Sequence, residues 1–165
     1  LFHVRNGGNI TILPIALGES EYQFVIDLKD WCEKNKNEMR TKGLELFLLR
    51  NLSRGKGVGF FEAGNFHPDF ILWILSGDKQ YVHFIEPHGL MYEGINSEKI
   101  QFYKRIKEIE TRIADPKVIL SCWILSWTPK QELKLRGYDP EEYLKKNVVF
   151  MEDPGYIDSM ISLII

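Results

Sequence analysis

Polar and apolar positions change period several times along this chain, and each change marks an element. Ile10 to Leu17 reads as a strand, with Pro14 placing it at an edge or a bulge. Gly18-Glu19-Ser20 is a turn and cap signal, after which Phe24, Leu28, Trp31 and Cys32 recur at helical spacing from about Glu21 to Glu33. The polar run Lys34 to Lys42 predicts a solvated connection, too short and mixed for a domain linker. From Leu44 to Leu52 the chain is apolar on nearly every side, which for a helix means burial. Ser53 to Gly59 is a flexible, basic, glycine-rich loop. Phe60 to Glu62, Asp69 to Leu75 and Tyr81 to Glu86 read as three strands joined by turn residues.

Further on, Ile100, Tyr103, Ile106, Ile109 and Ile113 fall at three- and four-residue steps, predicting a long amphipathic helix over Ser97 to Ala114. Val118 to Ser126 is apolar throughout, the mark of a central strand. Pro129 to Leu135 and Pro140 to Lys146 predict short helices with proline in the first turn. A strand at Val148 to Met151 and an apolar helix from about Tyr156 complete the pattern. Helix, strands, helix, strand and more helix describe an α/β sandwich around a mixed sheet.

The 165 residues, 44% of them hydrophobic, suit one domain able to bury a core without disulfide or metal staples. Cys32 and Cys122 sit among apolar residues and read as buried free thiols, and no Cys/His spacing suggests zinc. Lysine and arginine total 21 against 23 acids, so the net charge of −2 excludes a generally basic nucleic-acid coat or a polybasic membrane binder. Any phosphate-binding surface must be local. The longest strongly apolar stretches, around Phe70 to Leu75 and Val118 to Trp127, fall short of the ~20 residues a membrane helix needs. The chain starts at Leu1 without a basic, cleavable leader, which suggests a fragment of a longer cytoplasmic protein.

Candidate chemistry concentrates between Asp69 and His88. Ser76-Gly77-Asp78-Lys79 is a strong turn signal, and a two- or four-residue loop there pairs Leu75 with Gln80. Carried along the strands, that register sets Asp69 opposite Glu86 on one face, with Cβ atoms about 4.5–5.5 Å apart. A three- or five-residue loop sends the two acids to opposite faces instead. Pro68 then faces Pro87, neither with an amide donor, so the ladder ends and the strands splay, with His67 and His88 flanking the opening. Paired carboxylates at that separation repel by roughly 3 kcal/mol at an effective dielectric of ~20. A shared proton or a bridging divalent cation offsets this.

Glu45 lies in the apolar run and is a third candidate, either as an outer ligand or water-holder for the same metal or as a partner for Arg50 or a lysine. Glu62 has a weaker case. Arg50, Asn51, Ser53, Arg54 and Lys56 gather phosphate-binding side chains on the glycine-rich loop, which otherwise is solvated surface. The loop lacks the spacing of a nucleotide-binding P-loop. By parity His83 points away from Glu86 and reads as structural.

The stretch from Glu45 to Ile74, ELFLLRNLSRGKGVGFFEAGNFHPDFILWI, and Tyr81 to Leu90, YVHFIEPHGL, resemble the C-terminal nuclease domain of type III restriction enzyme Res subunits and related helicase-nuclease proteins. That family has the PD-(D/E)xK restriction-endonuclease-like fold, and the match covers roughly a quarter to a third of the chain, with the strand and helix order of the remainder compatible. The resemblance implies a Mg²⁺-dependent DNA endonuclease, with Mn²⁺ as a possible substitute. Asp69 and Glu86 occupy the metal-binding acid positions. His88 stands where the family has lysine. A neutral imidazole can take a proton but lacks the permanent charge that stabilises a developing phosphorane.

The resemblance also implies double-stranded DNA as substrate, an ATP-driven helicase or translocase region preceding Leu1, and a modification (methyltransferase) subunit as partner. ATP would bind only in that preceding region. Two alternatives stand beside this expectation. One is a degenerate nuclease fold that binds nucleic acid or docks subunits; the other is a hydrolase using Mn²⁺ through the acids and histidines.

Overall fold

The structure is a computed structural model that describes residues 16–52, 57–60 and 66–162. Its order is α1 (Glu19–Lys34), α2 (Lys36–Lys42), β1 (Leu44–Arg50), β2 (Phe70–Ser76), β3 (Lys79–His88), α3 (Glu98–Ile113), β4 (Val118–Ser126), α4 (Lys130–Leu135), α5 (Pro140–Leu144), β5 (Val148–Phe150) and α6 (Tyr156–Ser162). The strands form one mixed sheet in the order β1-β2-β3-β4-β5. The first three strands are antiparallel neighbours, whereas β4 runs parallel to β3 and β5 parallel to β4. The class is therefore α/β, with helices on both faces of the sheet.

The hairpin has the expected register. Ser76 pairs with Lys79 across a two-residue turn, Leu75 with Gln80, and Phe70 with Ile85. Gly77 occupies the left-handed region at φ 60°, where a side chain is strained, and this closes the tight turn. The β2–β3 ladder ends at Phe70 and Ile85, whereas β3 continues along β4 through Pro87 and His88. Asp69 thus falls just outside the ladder, next to Glu86.

Side chains alternate between two cores. On one face Phe70, Leu72, Ile74, Ile85, Trp123 and Leu125 meet Phe24 and Leu28 of α1 and Met160 and Ile161 of α6. On the other, Phe84, Leu120 and Cys122 meet Phe102 and Ile106 of α3, and Ile124 and Phe150 pack with Ile100 and Tyr143. Ser97 caps α3 by accepting from the Ile100 N–H, and Ala114 ends it in the left-handed region at φ 54°. Cys122 is buried and Cys32 half-buried, and both are free thiols. Among the described residues, no helix is long and apolar enough to cross a membrane.

Four expectations are corrected. Leu44 to Leu52 is not a buried helix: Leu44 to Arg50 is β1, paired to β2 along its length. Its leucines favour helix intrinsically, but backbone pairing with β2 prevails over propensity. Leu44, Leu46 and Leu48 are half-buried, while Glu45, Phe47 and Leu49 are exposed on the face that also shows Trp73. Lys36 to Lys42, read as a connection, is α2, ended by Gly43 in the left-handed region at φ 61°. Phe60 forms only an isolated bridge to Phe66. Ala16 and Leu17 lie outside any strand; the rest of the strand read from Ile10, together with Phe61 and Glu62, lies outside the described residues.

Candidate active site

The open end of the β2–β3 hairpin, the first turn of α1 and the first turn of α3 converge at one end of the sheet. β2 begins just after Asp69, and its backbone carbonyl accepts from the Asn51 N–H at 2.8 Å, extending the β1–β2 connection by one bond. Glu86 lies near the end of β3, beside Ile124 of β4 and on the face covered by α3, where it is buried. The α1 N-terminus is tied to the same strand end by Ser20 Oγ, which donates to the Pro87 carbonyl at 3.3 Å.

Two side chains that sequence reasoning did not single out complete the group. The Glu21 side chain of α1 lies against that of Asp69, close enough for the two carboxyls to share a proton. Glu21 Oε2 also accepts from the Gly18 N–H at 2.8 Å and from Arg50 Nη2 at 3.4 Å. Lys99 of α3 donates from Nζ to Glu86 Oε1 at 2.9 Å. In the sequence Glu21 marks only the start of a helix, and Lys99 falls within the amphipathic helix over Ser97 to Ala114. No spacing links either to Asp69, because both arrive through tertiary packing.

The electrostatics match crowded carboxylates. Burial raises Asp69 to about 7, and the charges of Glu86 and Glu21 push in the same direction against the opposing charge of Lys99. Burial also raises Glu86, while the Lys99 charge and hydrogen bond hold it down. Among the described residues, Glu86 Oε2 is buried without a hydrogen-bond partner. That orphaned acceptor fits a cation ligand. Among the described residues, no three or more His, Cys, Asp or Glu side chains form a ready-made cage. Mg²⁺ does not require one: it is usually held by one or two carboxylates, with waters and substrate phosphates completing its octahedron.

The remaining candidates fall into three groups. His88 is close to this group, but its Nε2 faces Glu93 Oε1 at 3.8 Å. Burial, followed by the Lys99 charge, lowers its pKa below the usual range and leaves it neutral at pH 7, despite Glu93. Glu45 is not brought to the site. It is exposed opposite Leu75, at the end of β1 remote from Asp69, because a strand rises ~3.3 Å per residue where the expected helix rises 1.5 Å.

Arg50 reaches the site through Glu21. The Asn51 amide is committed to the fold: Nδ2 donates to the carbonyls of Val58 at 2.7 Å and Pro68 at 2.8 Å, and Oδ1 accepts from the Val58 N–H at 2.9 Å. Ser53, Arg54 and Lys56 lie outside the described residues. His67 packs against Gly59 so closely that a Cβ there would overlap the imidazole, while His83 is buried on the opposite face against Ser121.

Clefts of about 290 and 330 Å³ lie elsewhere, the first lined by Trp31, Met39 and Leu44 and the second by Asp27, Met151 and Asp153. No protein-family model, curated protein or solved structure matches this chain.

Proposed function

We propose that this chain is a metal-dependent DNA endonuclease domain of the restriction-endonuclease-like class. The observation that carries the reading is the meeting of Asp69 and Glu86 at the open hairpin end, with Glu86 Oε2 lacking a partner among the described residues. The likeness of Glu45–Ile74 and Tyr81–Leu90 to type III restriction nucleases supplies the substrate class. The edge of a sheet, rather than either cleft, suits a polymeric substrate that must lie across the protein.

In this reading Asp69 and Glu86 hold Mg²⁺ or Mn²⁺, and Glu21 takes the third-acid place expected of Glu45. The bound ion supplies a lowered water pKa and neutralises charge on the scissile phosphate. Arg50 steadies Glu21 and adds positive potential beside the substrate path. Ser53, Arg54 and Lys56 are phosphate-binding candidates by residue type alone, while Asn51 holds Val58 and Pro68 rather than touching DNA. A preceding ATP-driven translocase and a methyltransferase subunit complete the assembly that the resemblance implies.

Calorimetric titration of Mn²⁺ into the protein and into Asp69→Asn tests the site. Binding that the substitution abolishes is the expected result. Equal binding by both proteins, or binding by neither, removes the basis of the nuclease reading. The second reading, a noncatalytic DNA-binding or docking module, is favoured by His88 at the lysine position, and it expects DNA binding without cleavage in Mg²⁺ or Mn²⁺.

A further inference from the structure

No lysine follows Glu86 by two residues, yet the fold delivers one to the same carboxylate. Lys99 Nζ lies 2.9 Å from Glu86 Oε1, with its side chain 23% exposed and that of Glu86 9%. The charge of Lys99 acts on Asp69, Glu86 and His88 together.

Two features argue against a merely structural ion pair. Lys99 stands in the first turn of α3, where the helix dipole favours anions and disfavours a cation. Among the described residues the pair also leaves Glu86 Oε2 buried and unsatisfied, and a half-satisfied buried pair contributes little to stability. A cation held against its helix, beside the paired carboxyls of Asp69 and Glu86, is placed for work at the reacting phosphate.

Resting on the nuclease reading above, we propose that Lys99 is the catalytic cation of this site, filling in space the role that position 88 does not fill in sequence. It pairs with Glu86 through Oε1, and Asp69 and Glu86 would hold the divalent ion. In hydrolysis the water oxygen bonds to phosphorus, the phosphorus–oxygen bond to the leaving sugar breaks, and the proton lost by water reaches the leaving oxygen through solvent. Lys99 keeps its charge throughout and donates to the phosphoryl oxygen on which negative charge accumulates.

The experiment compares wild type, Lys99→Met, Lys99→Arg, and Lys99→Met combined with His88→Lys. Folding is followed by circular dichroism, Mn²⁺ affinity by calorimetry, binding of a fluorescein-labelled DNA duplex in Ca²⁺, and cleavage in Mg²⁺ and Mn²⁺. Lys99→Met is expected to remain folded, to bind Mn²⁺ within about threefold of wild type, and to cleave about 100-fold more slowly, the loss typical of one transition-state donor. Adding His88→Lys is expected to restore at least about tenfold of that loss, with Lys99→Arg intermediate.

Cleavage by Lys99→Met at the wild-type rate overturns the proposal. So does a double variant no faster than Lys99→Met, or loss of Mn²⁺ binding in both Lys99 variants. If Lys99→Met does not fold, Lys99→Arg decides: near-complete loss of Mn²⁺ binding makes the residue structural, while retained Mn²⁺ binding with slowed cleavage supports the proposal. Wild-type protein that neither binds Mn²⁺ nor cleaves overturns the nuclease reading itself, a result distinct from wild-type activity indifferent to Lys99.

Discussion

The Tyr156 hydroxyl donates to Asp27 Oδ2 at 2.8 Å, joining α6 to α1 on the helix that carries Glu21. Burial, together with the bond to Asp27, holds the phenol well above its usual pKa. The other Asp27 oxygen accepts from Gln23 Nε2 at 2.8 Å, so both are occupied. Trp31 Nε1 adds a second tie at 2.6 Å to Asp158 Oδ1. Tyr156→Phe is expected to lower stability by about 1–2 kcal/mol in urea denaturation, because a charge-assisted bond is lost and Asp27 is left underused. A change below about 0.3 kcal/mol would show that α6 does not brace α1 through this bond.

Asp69 makes the protein less stable than it could be. Its folded pKa, about 7, lies above the usual value of 3.8, so the folded state binds more protons between those limits. Stability from this group is full below pH 4 and is lost as pH rises through 7. Asp69→Asn is therefore expected to stabilise the metal-free protein at pH 8 by about 1 kcal/mol, or roughly 2–4 °C, while abolishing Mn²⁺ binding. A lower melting temperature at pH 8 would contradict the crowding of carboxylates.

His83 acts in the opposite sense. Burial, with a contribution from the Lys107 charge, lowers it to about 3, while its ordinary value is 6.5. The unfolded chain therefore takes up the proton first, and stability falls as pH drops below 6.5. At pH 5 the loss is about 2 kcal/mol, using 1.36 kcal/mol per pH unit. Ser121 bonds Nδ1 and Nε2 is unpartnered, so the neutral ring is only partly satisfied. His83→Gln is expected to flatten the acid limb of urea midpoints between pH 6.5 and 4. In wild type the His83 and Asp69 dependences partly cancel, and only the single variants separate them.

Asn51 offers a test that divides structure from DNA contact. Asn51→Ala leaves the Val58 N–H and two carbonyls without their side-chain partner, and is expected to destabilise by about 1–3 kcal/mol. At a temperature where the variant remains folded, DNA affinity in Ca²⁺ is expected to change by less than about threefold. A tenfold loss in a fully folded variant would return Asn51 to the DNA surface.

The carboxylate pair was legible because a hairpin is local: its turn sets the register, and the register places Asp69 beside Glu86. α1, α3 and β4 were legible because their periods are long and clean. β1 was not. A run such as Leu44 to Leu49 is apolar under either period, and only pairing with β2 resolves it. Glu45 fell with that assignment, since the site depends on a rise per residue that the run does not reveal. Glu21 and Lys99 remained invisible because helix packing, rather than spacing, brings them to the hairpin. The basic loop was readable as composition, but Asn51 shows that a polar residue there can serve the backbone.

The hairpin also fixes the order in which charge must be managed as the chain folds. Asp69 and Glu86 are joined by one tight turn, so they meet as soon as β2 and β3 zip together, whereas Lys99 arrives only after α3 crosses over to allow the parallel pairing of β4. Local contacts form before distant ones. The repulsion consequently falls on an early, half-built state that has no ammonium to relieve it. A millimolar divalent ion present from the start is therefore expected to speed refolding, as followed by stopped-flow fluorescence, acting as an electrostatic chaperone for the hairpin before it serves any completed site.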